Sequence, residues 1–122
     1  MASGIVQYVV VRSDLITSLK WPVGAVIAQA CHATTAVMHR HADDADVLTY
    51  LSDLDNMHKV VLAAPDLASL TKLRDALHEA GVAHYLWVEQ PENIPTCLTT
   101  KPAPKAHVQK FFKKLKLFNI SS

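Results

Sequence analysis

The sequence predicts an α/β fold: a single domain with a mixed four-stranded β-sheet and helices on both faces, in the order β-α-α-β-α-β-β-α. Three observations carry that prediction. Runs rich in β-branched residues alternate with segments of helical period. The chain has 122 residues, one domain at the usual ~100–200 residues per domain, here taken as residues 1–122. The last connection between strands, Gln90–Pro95, is too short for a parallel crossover, which takes roughly a dozen residues or more.

The first strand is Ile5–Arg12 (IVQYVVVR), whose nearly continuous apolarity suits a central strand buried on both faces. A turn-like stretch, Ser13–Pro22, leads to a helix over Gly24–His41, where Val26, Ala30, Ala33 and Val37 recur at helical spacing. A second helix is expected at Asp43–Asp53, with acids over its first turn complementing the helix dipole and Val47, Leu48 and Leu51 as its buried side. Lys59–Ala64 (KVVLAA) is the second strand. Asp66 then offers an N-cap for a helix at Leu67–Ala80, with Leu70, Leu73, Leu77 and Ala80 in its apolar stripe and Gly81 as its stop. His84–Glu89 is the third strand and Thr96–Lys101 the fourth. A last helix is expected at Pro104–Lys116, with Val108, Phe111, Phe112 and Leu115 on one face. Strands one to three run parallel and strand four antiparallel to strand three.

Half the residues are hydrophobic and 19% are charged, which excludes disorder and fibrous repeats. No apolar run approaches the ~20 residues of a membrane span, so no membrane partner and a cytoplasmic location are expected. Cys31 and Cys97 do not make a disulfide framework and read as reduced thiols. The net charge of +1 conceals a division. Residues 1–92 hold six Lys/Arg and eleven Asp/Glu, net −5, whereas residues 93–122 hold six lysines and no acid, net +6. Such a basic segment is either a solvated face or a polyanion footprint, because lysines that neutralise phosphates release condensed counterions.

Ligands of such sheets bind beyond the carboxyl ends of the parallel strands. Asp14 and Glu89 both fall at that edge, each readable as a general base or as a plain turn or surface carboxylate. The helix that begins near Gly24 presents free backbone N–H groups to a phosphate or developing oxyanion. Gln29 and His32 share a face of this helix with Ala25, Ala36 and His39, which suggests a shallow polar groove; His32 alone reads as structural before it reads as catalytic. No metal site is expected, since His32 and His39 stand ~10.5 Å apart along a helix axis, at 1.5 Å per residue. Trp21, Tyr85 and Trp87 could stack on bases or fill the core.

Several segments resemble the type II peptidyl-tRNA hydrolases, and within them the divergent peptidyl-tRNA hydrolase domain-containing branch. Val11-Arg12-Ser13-Asp14-Leu15 resembles that family's V-R-x-D-L strand end. Gly24–Ala33 (GAVIAQACHA) resembles its G-K-x-A-A-Q-x-x-H-A helix, and Lys59–Asp66 (KVVLAAPD) its K-V-V-x-x-A-P-D segment. Leu115–Phe118 resembles the family's closing segment, and Trp87–Ile94 is similar to a W-L/V-E-Q-P-E-N-I stretch of the divergent branch. The resemblance runs from Tyr8 to Phe118.

It implies the family's mixed four-stranded sheet and hydrolysis of the ester between a peptide, or an N-blocked amino acid, and the 3′ end of tRNA. Asp14, Gly24, Gln29 and His32 match family motif positions, Glu89 falls where the family has a functional Asp, and Thr96 falls in its T-V-L. In the implied reaction Glu89 activates water, and the first helix's N-terminus with Gln29 or Asn93 holds the oxyanion. Lys20, Lys101, Lys105, Lys110, Lys113 and Lys114 hold tRNA. No cofactor is implied, and a homodimer is possible. The family's K-G-K is here Val23-Gly24-Ala25, with Lys20 the nearest substitute, and its G-R-T-Q is replaced by Gln90-Pro91-Glu92-Asn93. A second reading keeps the fold and binds tRNA or another structured RNA without turnover.

Overall fold

A computed structural model describes residues 4–120. The central strand is β1 (Ile5–Arg12), every residue of which is buried. The short helix α1 (Asp14–Thr17) follows it inside the stretch expected to be a turn, and α2 (Val23–Arg40) and α3 (Ala45–Leu51) come next. A 3₁₀ turn at Leu54–Asn56 then leads into β2 (Lys59–Ala64). Beyond it lie α4 (Leu67–Glu79), β3 (His84–Glu89) and β4 (Ile94–Thr100). The chain closes through β5 (Ala103–Pro104), α5 (Lys105–Val108), a 3₁₀ turn at Gln109–Phe111, and β6 (Lys116–Leu117).

The sheet has six strands rather than the four expected, ordered β3-β4-β1-β2-β6 with β5 pairing β1. β1 and β2 are parallel, with Tyr8 opposite Val60 and Arg12 opposite Ala64. β4 is antiparallel to both β1 and β3, so β3 runs in the direction of β1 without touching it. Glu89, the start of β4, Arg12 and Ala64 therefore meet at one edge of the sheet. Among the described residues no helix is long and apolar enough to cross a membrane.

Alternation along β1 builds a core on each face. Val9 and Val11 pack with Val26, Ala33 and Cys97 under α2. Val6, Tyr8 and Val10 pack with Leu70, Leu73 and Leu77 of α4 and with Val108 and Phe112. Each buried Val, Leu or Phe side chain among these contributes roughly 1.5–3 kcal/mol of hydrophobic stabilisation. Asp66 caps α4 by accepting from the Ser69 amide at 2.8 Å, and Gly81 ends it at φ +72°, where the Val82 amide returns to the Leu77 carbonyl.

Three expectations fail for physical reasons. The fourth strand begins at Ile94, two residues before the expected Thr96, because pairing with β3 extends to Glu89 opposite Ile94. In α3 the buried pair is Val47 and Tyr50, while Leu48 and Leu51 are exposed. The Tyr50 hydroxyl, donating to the His58 carbonyl at 3.1 Å, fixes that rotation. The expected last helix stops after one turn. Val108 and Phe112 are buried all the same, with Phe112 stacked on Tyr8 at 4.2 Å between centroids, and the chain then turns to pair with the outer edge of β2. Covering that edge satisfies backbone groups that a continuing helix would have left open.

Candidate active site

The carboxyl edge of the sheet gathers three polar couples, each built by a different element. At the end of β1, Arg12 is almost fully buried and grips Asp14 with two bonds of 2.9 Å, from Nε to Oδ1 and from Nη2 to Oδ2. Its Nη1 donates to the Pro95 carbonyl at 3.0 Å, tying β1 to the start of β4. Asp14 thus stands in an ion pair and opens α1. Sequence reasoning passed over Arg12 as a site residue, although a cation ending a central strand two residues before an Asp is a visible signal.

The second couple is Thr96 and Gln29. Strict alternation from Leu98, which faces α4, would turn Thr96 toward α4 as well. Instead the register runs from Trp87 opposite Cys97 to Val88 opposite Pro95, leaving Thr96 as the extra residue of a bulge. The bulge aims the Thr96 hydroxyl at α2, where it donates to Gln29 Oε1 at 2.8 Å. Gln29 Nε2 donates in turn to the Ala25 carbonyl at 3.1 Å, and both side chains are buried. The expected polar groove on this helix face is consequently filled. Gln29 is a locked strut between α2 and β4, not a donor standing open to a ligand.

The third couple involves Trp87. Its indole N–H donates to Glu89 Oε1 at 3.1 Å, and its ring lies 4.6 Å from the exposed His32 ring at an interplanar angle of 23°. Period-two spacing puts residues 87 and 89 on one face of β3, so this bond had a sequence signal too. Glu89 is half-buried and is held by an N–H rather than by a cation. Tyr85, farther along the strand, lies under the Arg40 guanidinium at 4.9 Å.

The remaining candidates surround this edge. Asn93 is exposed at the tip of the turn between β3 and β4, in the left-handed region at φ +59°. Lys20 is exposed between α1 and α2 and is also left-handed, at φ +59°. Gly24 lies in the first turn of α2, where Pro22 occupies the N-cap, and a Cβ added to it would meet open space. The Val23 and Gly24 amides have no hydrogen-bond partner among the described residues.

The lysines divide into two groups. Lys101 differs from the expectation of a free cation: its ammonium bonds Asp44 at 3.0 Å and Asp46 at 2.9 Å, so its charge is neutralised within the fold. Lys101's hydrogen bond is also the main reason the Asp44 carboxyl is held below its ordinary pKa. Burial works against the Lys101 ammonium, but hydrogen bonds to Asp46 and Asp44 outweigh it and raise its pKa. Lys105, Lys110, Lys113 and Lys114 are exposed. The last three flank an apolar groove of about 430 Å³ together with Lys72 of α4. Lys114 and Lys116 also line a smaller depression of about 310 Å³ against Ser13 and Pro65 at the carboxyl edge.

Among the described residues no three His, Cys, Asp or Glu side chains converge as metal ligands. Cys31 is exposed, and burial drives the Cys97 thiol far above its ordinary pKa, so Cys97 is an inert core residue. The edge can therefore offer an ordered carboxylate, unpaired helix amides and nearby cations to a ligand.

The profile of the family described as peptidyl-tRNA hydrolase PTH2 matches residues 5–118 of the chain. A human protein named "Putative peptidyl-tRNA hydrolase PTRHD1" is 48% identical over 115 residues, covering 93% of this chain and 82% of the relative. A Methanothermobacter thermautotrophicus protein named "Peptidyl-tRNA hydrolase" is 31% identical over 116 residues, covering 91% and 97%. A Dictyostelium discoideum protein named "Probable peptidyl-tRNA hydrolase 2" is 31% identical over 117 residues, covering 92% and 54%.

Proposed function

The chain belongs to the peptidyl-tRNA hydrolase PTH2 family, and on that premise we propose that it cleaves the ester between a peptide, or an N-blocked amino acid, and the 3′ oxygen of tRNA, with Glu89 as general base. The observation that carries this reading is the half-buried Glu89 carboxylate, oriented by the Trp87 indole N–H and without a cationic partner among the described residues. A carboxylate held in that way keeps lone pairs for a water.

Glu89 takes a proton from water, and the hydroxide adds to the ester carbonyl carbon. Negative charge then develops on the carbonyl oxygen, for which the Val23 and Gly24 amides and Asn93 are the available donors. When the bond to the ribose oxygen breaks, the proton held by Glu89 passes to that oxygen, leaving a peptide acid and a tRNA with a free 3′ hydroxyl. Gln29 and Thr96 fix α2 against β4, Arg12 fixes Asp14 beside the start of β4, and His32 packs on the ring that orients Glu89. Lys20, Lys105, Lys110, Lys113 and Lys114, which have no carboxylate partner among the described residues, are cations for tRNA phosphates. Cytosolic action as a monomer or homodimer is compatible with this reading.

The test is single-turnover cleavage of an N-acetyl-aminoacyl-tRNA by wild type and Glu89→Gln, with tRNA binding followed in the same samples. The expected result is a loss of ~10²-fold or more in cleavage at unchanged affinity. Equal cleavage by the variant overturns the base assignment. Binding without cleavage by either protein replaces the hydrolase with an RNA-binding relative.

A further inference from the structure

Two depressions of opposite character are lined by neighbouring residues of the chain that follows β1 and of the chain around β6. One is the basic notch lined by Ser13, Ala63, Pro65, Lys114 and Lys116. The other, about 410 Å³, is lined by Ile16, Val23, Val26, Ile27, Phe118 and Ile120 with one polar residue, Asn119, and no charged side chain of the described residues enters it. Their linings interleave along one strip of chain, with Ser13 and Leu117 in the notch and Ile16 and Phe118 in the apolar pocket. Ile27 and Ile120 are 58% and 56% exposed, so the pocket leaves a contiguous apolar surface open. Such patches on small domains mark binding sites.

We propose that the apolar pocket receives the side chain of the amino acid esterified to tRNA, which makes this protein selective for esters of large apolar residues. The inference rests on the hydrolase reading above. The ester carbonyl carbon carries two arms, the ribose oxygen of a polyanion and the Cα of an uncharged acyl group. With the carbonyl oxygen turned to the Val23 and Gly24 amides, the RNA arm follows the charge toward Lys114 and Lys116. The Cα arm is left with the other side of the strip, where Val23 leads directly into the pocket. At position 23 a lysine would crowd this pocket with a charge; valine makes it a wall. An apolar pocket discriminates by the surface it buries, on the order of 10–200-fold per methylene.

The experiment charges one tRNA body with either N-acetyl-leucine or N-acetyl-glycine and measures single-turnover kcat/KM for wild type, Ile27→Gln and the Lys114→Gln/Lys116→Gln double variant. Ile27 is exposed and Gln is a good helix former, so folding is not at stake. Wild type is expected to favour leucine by ~10-fold or more. Ile27→Gln brings the ratio toward one, whereas the lysine double variant lowers both values together and keeps the ratio. A wild-type ratio near one, or a ratio that Ile27→Gln leaves untouched, overturns the proposal. A wild-type dimer that Ile27→Gln dissociates in sedimentation overturns it as well, because the patch is then an interface between copies. Failure of wild type to cleave either ester is the separate outcome that removes the hydrolase reading itself.

Discussion

The carboxyl edge of the sheet and the lysine-bearing C-terminal segment solve opposite electrostatic problems. At the edge every polar couple is closed: Arg12 with Asp14, Thr96 with Gln29, Trp87 with Glu89. On the C-terminal segment Lys105, Lys110, Lys113, Lys114 and Lys116 have no carboxylate partner among the described residues, and Lys101 alone is paired. Closed couples in low dielectric hold geometry, and losing one partner exposes the other to a desolvation cost. Unpaired surface lysines hold no geometry, and their value lies in counterions released when a polyanion arrives. Substitutions in the first region should therefore register in stability and turnover, and substitutions in the second in salt-dependent binding.

Arg12→Ala should separate the two regions most sharply. Removing the guanidinium leaves the Asp14 carboxylate and the Pro95 carbonyl without their donor, at a cost of about 3 kcal/mol in chemical denaturation. A loss under 1 kcal/mol would mean that this couple is as dispensable as a surface pair.

Next in size are Thr96→Val and Gln29→Leu. Each alone strands a buried polar partner and should cost about 1–3 kcal/mol, whereas the double variant should cost less than the sum. Additive losses in the double-mutant cycle would show that the bulge is held by packing and not by this bond.

Lys101→Met tests the one C-terminal lysine that behaves like the edge, and should cost about 1 kcal/mol at neutral pH. Asp44 is depressed in the folded state, so its contribution is present above its unfolded pKa and is lost as pH falls through the folded value. Lys101 is raised, so its contribution is present below its unfolded pKa and is lost as pH rises through the folded value. The variant should flatten both the acid and the alkaline limbs of the stability profile. Unchanged limbs would remove the linkage.

The smallest effect on the fold belongs to Lys113→Gln and Lys114→Gln. Neither should shift the melting temperature measurably, yet each should reduce the slope of log affinity for tRNA against log salt by about 0.7–0.9. An unchanged slope would show that this segment is a solvated face.

The strands Ile5–Arg12, Lys59–Ala64 and His84–Glu89 were legible to the residue, because β-branched runs and their flanking turn residues are local signals. The Asp66 cap and the antiparallel sense of the fourth strand, though not its bounds, were legible as well, from side-chain chemistry at a helix start and from loop length. Glu89 and Asp14 could be placed at one edge by topology alone. The last helix could not be told from a fold-back, since Val108, Phe112 and Leu115 satisfy the same spacing in either form. Leu48 lies outside the core for the same reason: a seven-residue helix can present either of two apolar stripes, and a tyrosine hydroxyl chose between them.

What residue order alone established is therefore the family, the alternation of strands and helices, and the candidate carboxylates, all written in spacings of two to four residues or in short motifs. Tertiary structure decided which way the bulge turned Thr96, that Gln29, 67 residues away, would close on it, and that Lys101 would be neutralised by an Asp44 carboxylate 57 residues distant. Those pairings depend on the register of packed elements. A shift of one residue along a strand exchanges its two faces, and no local spacing encodes the partner that lies across them.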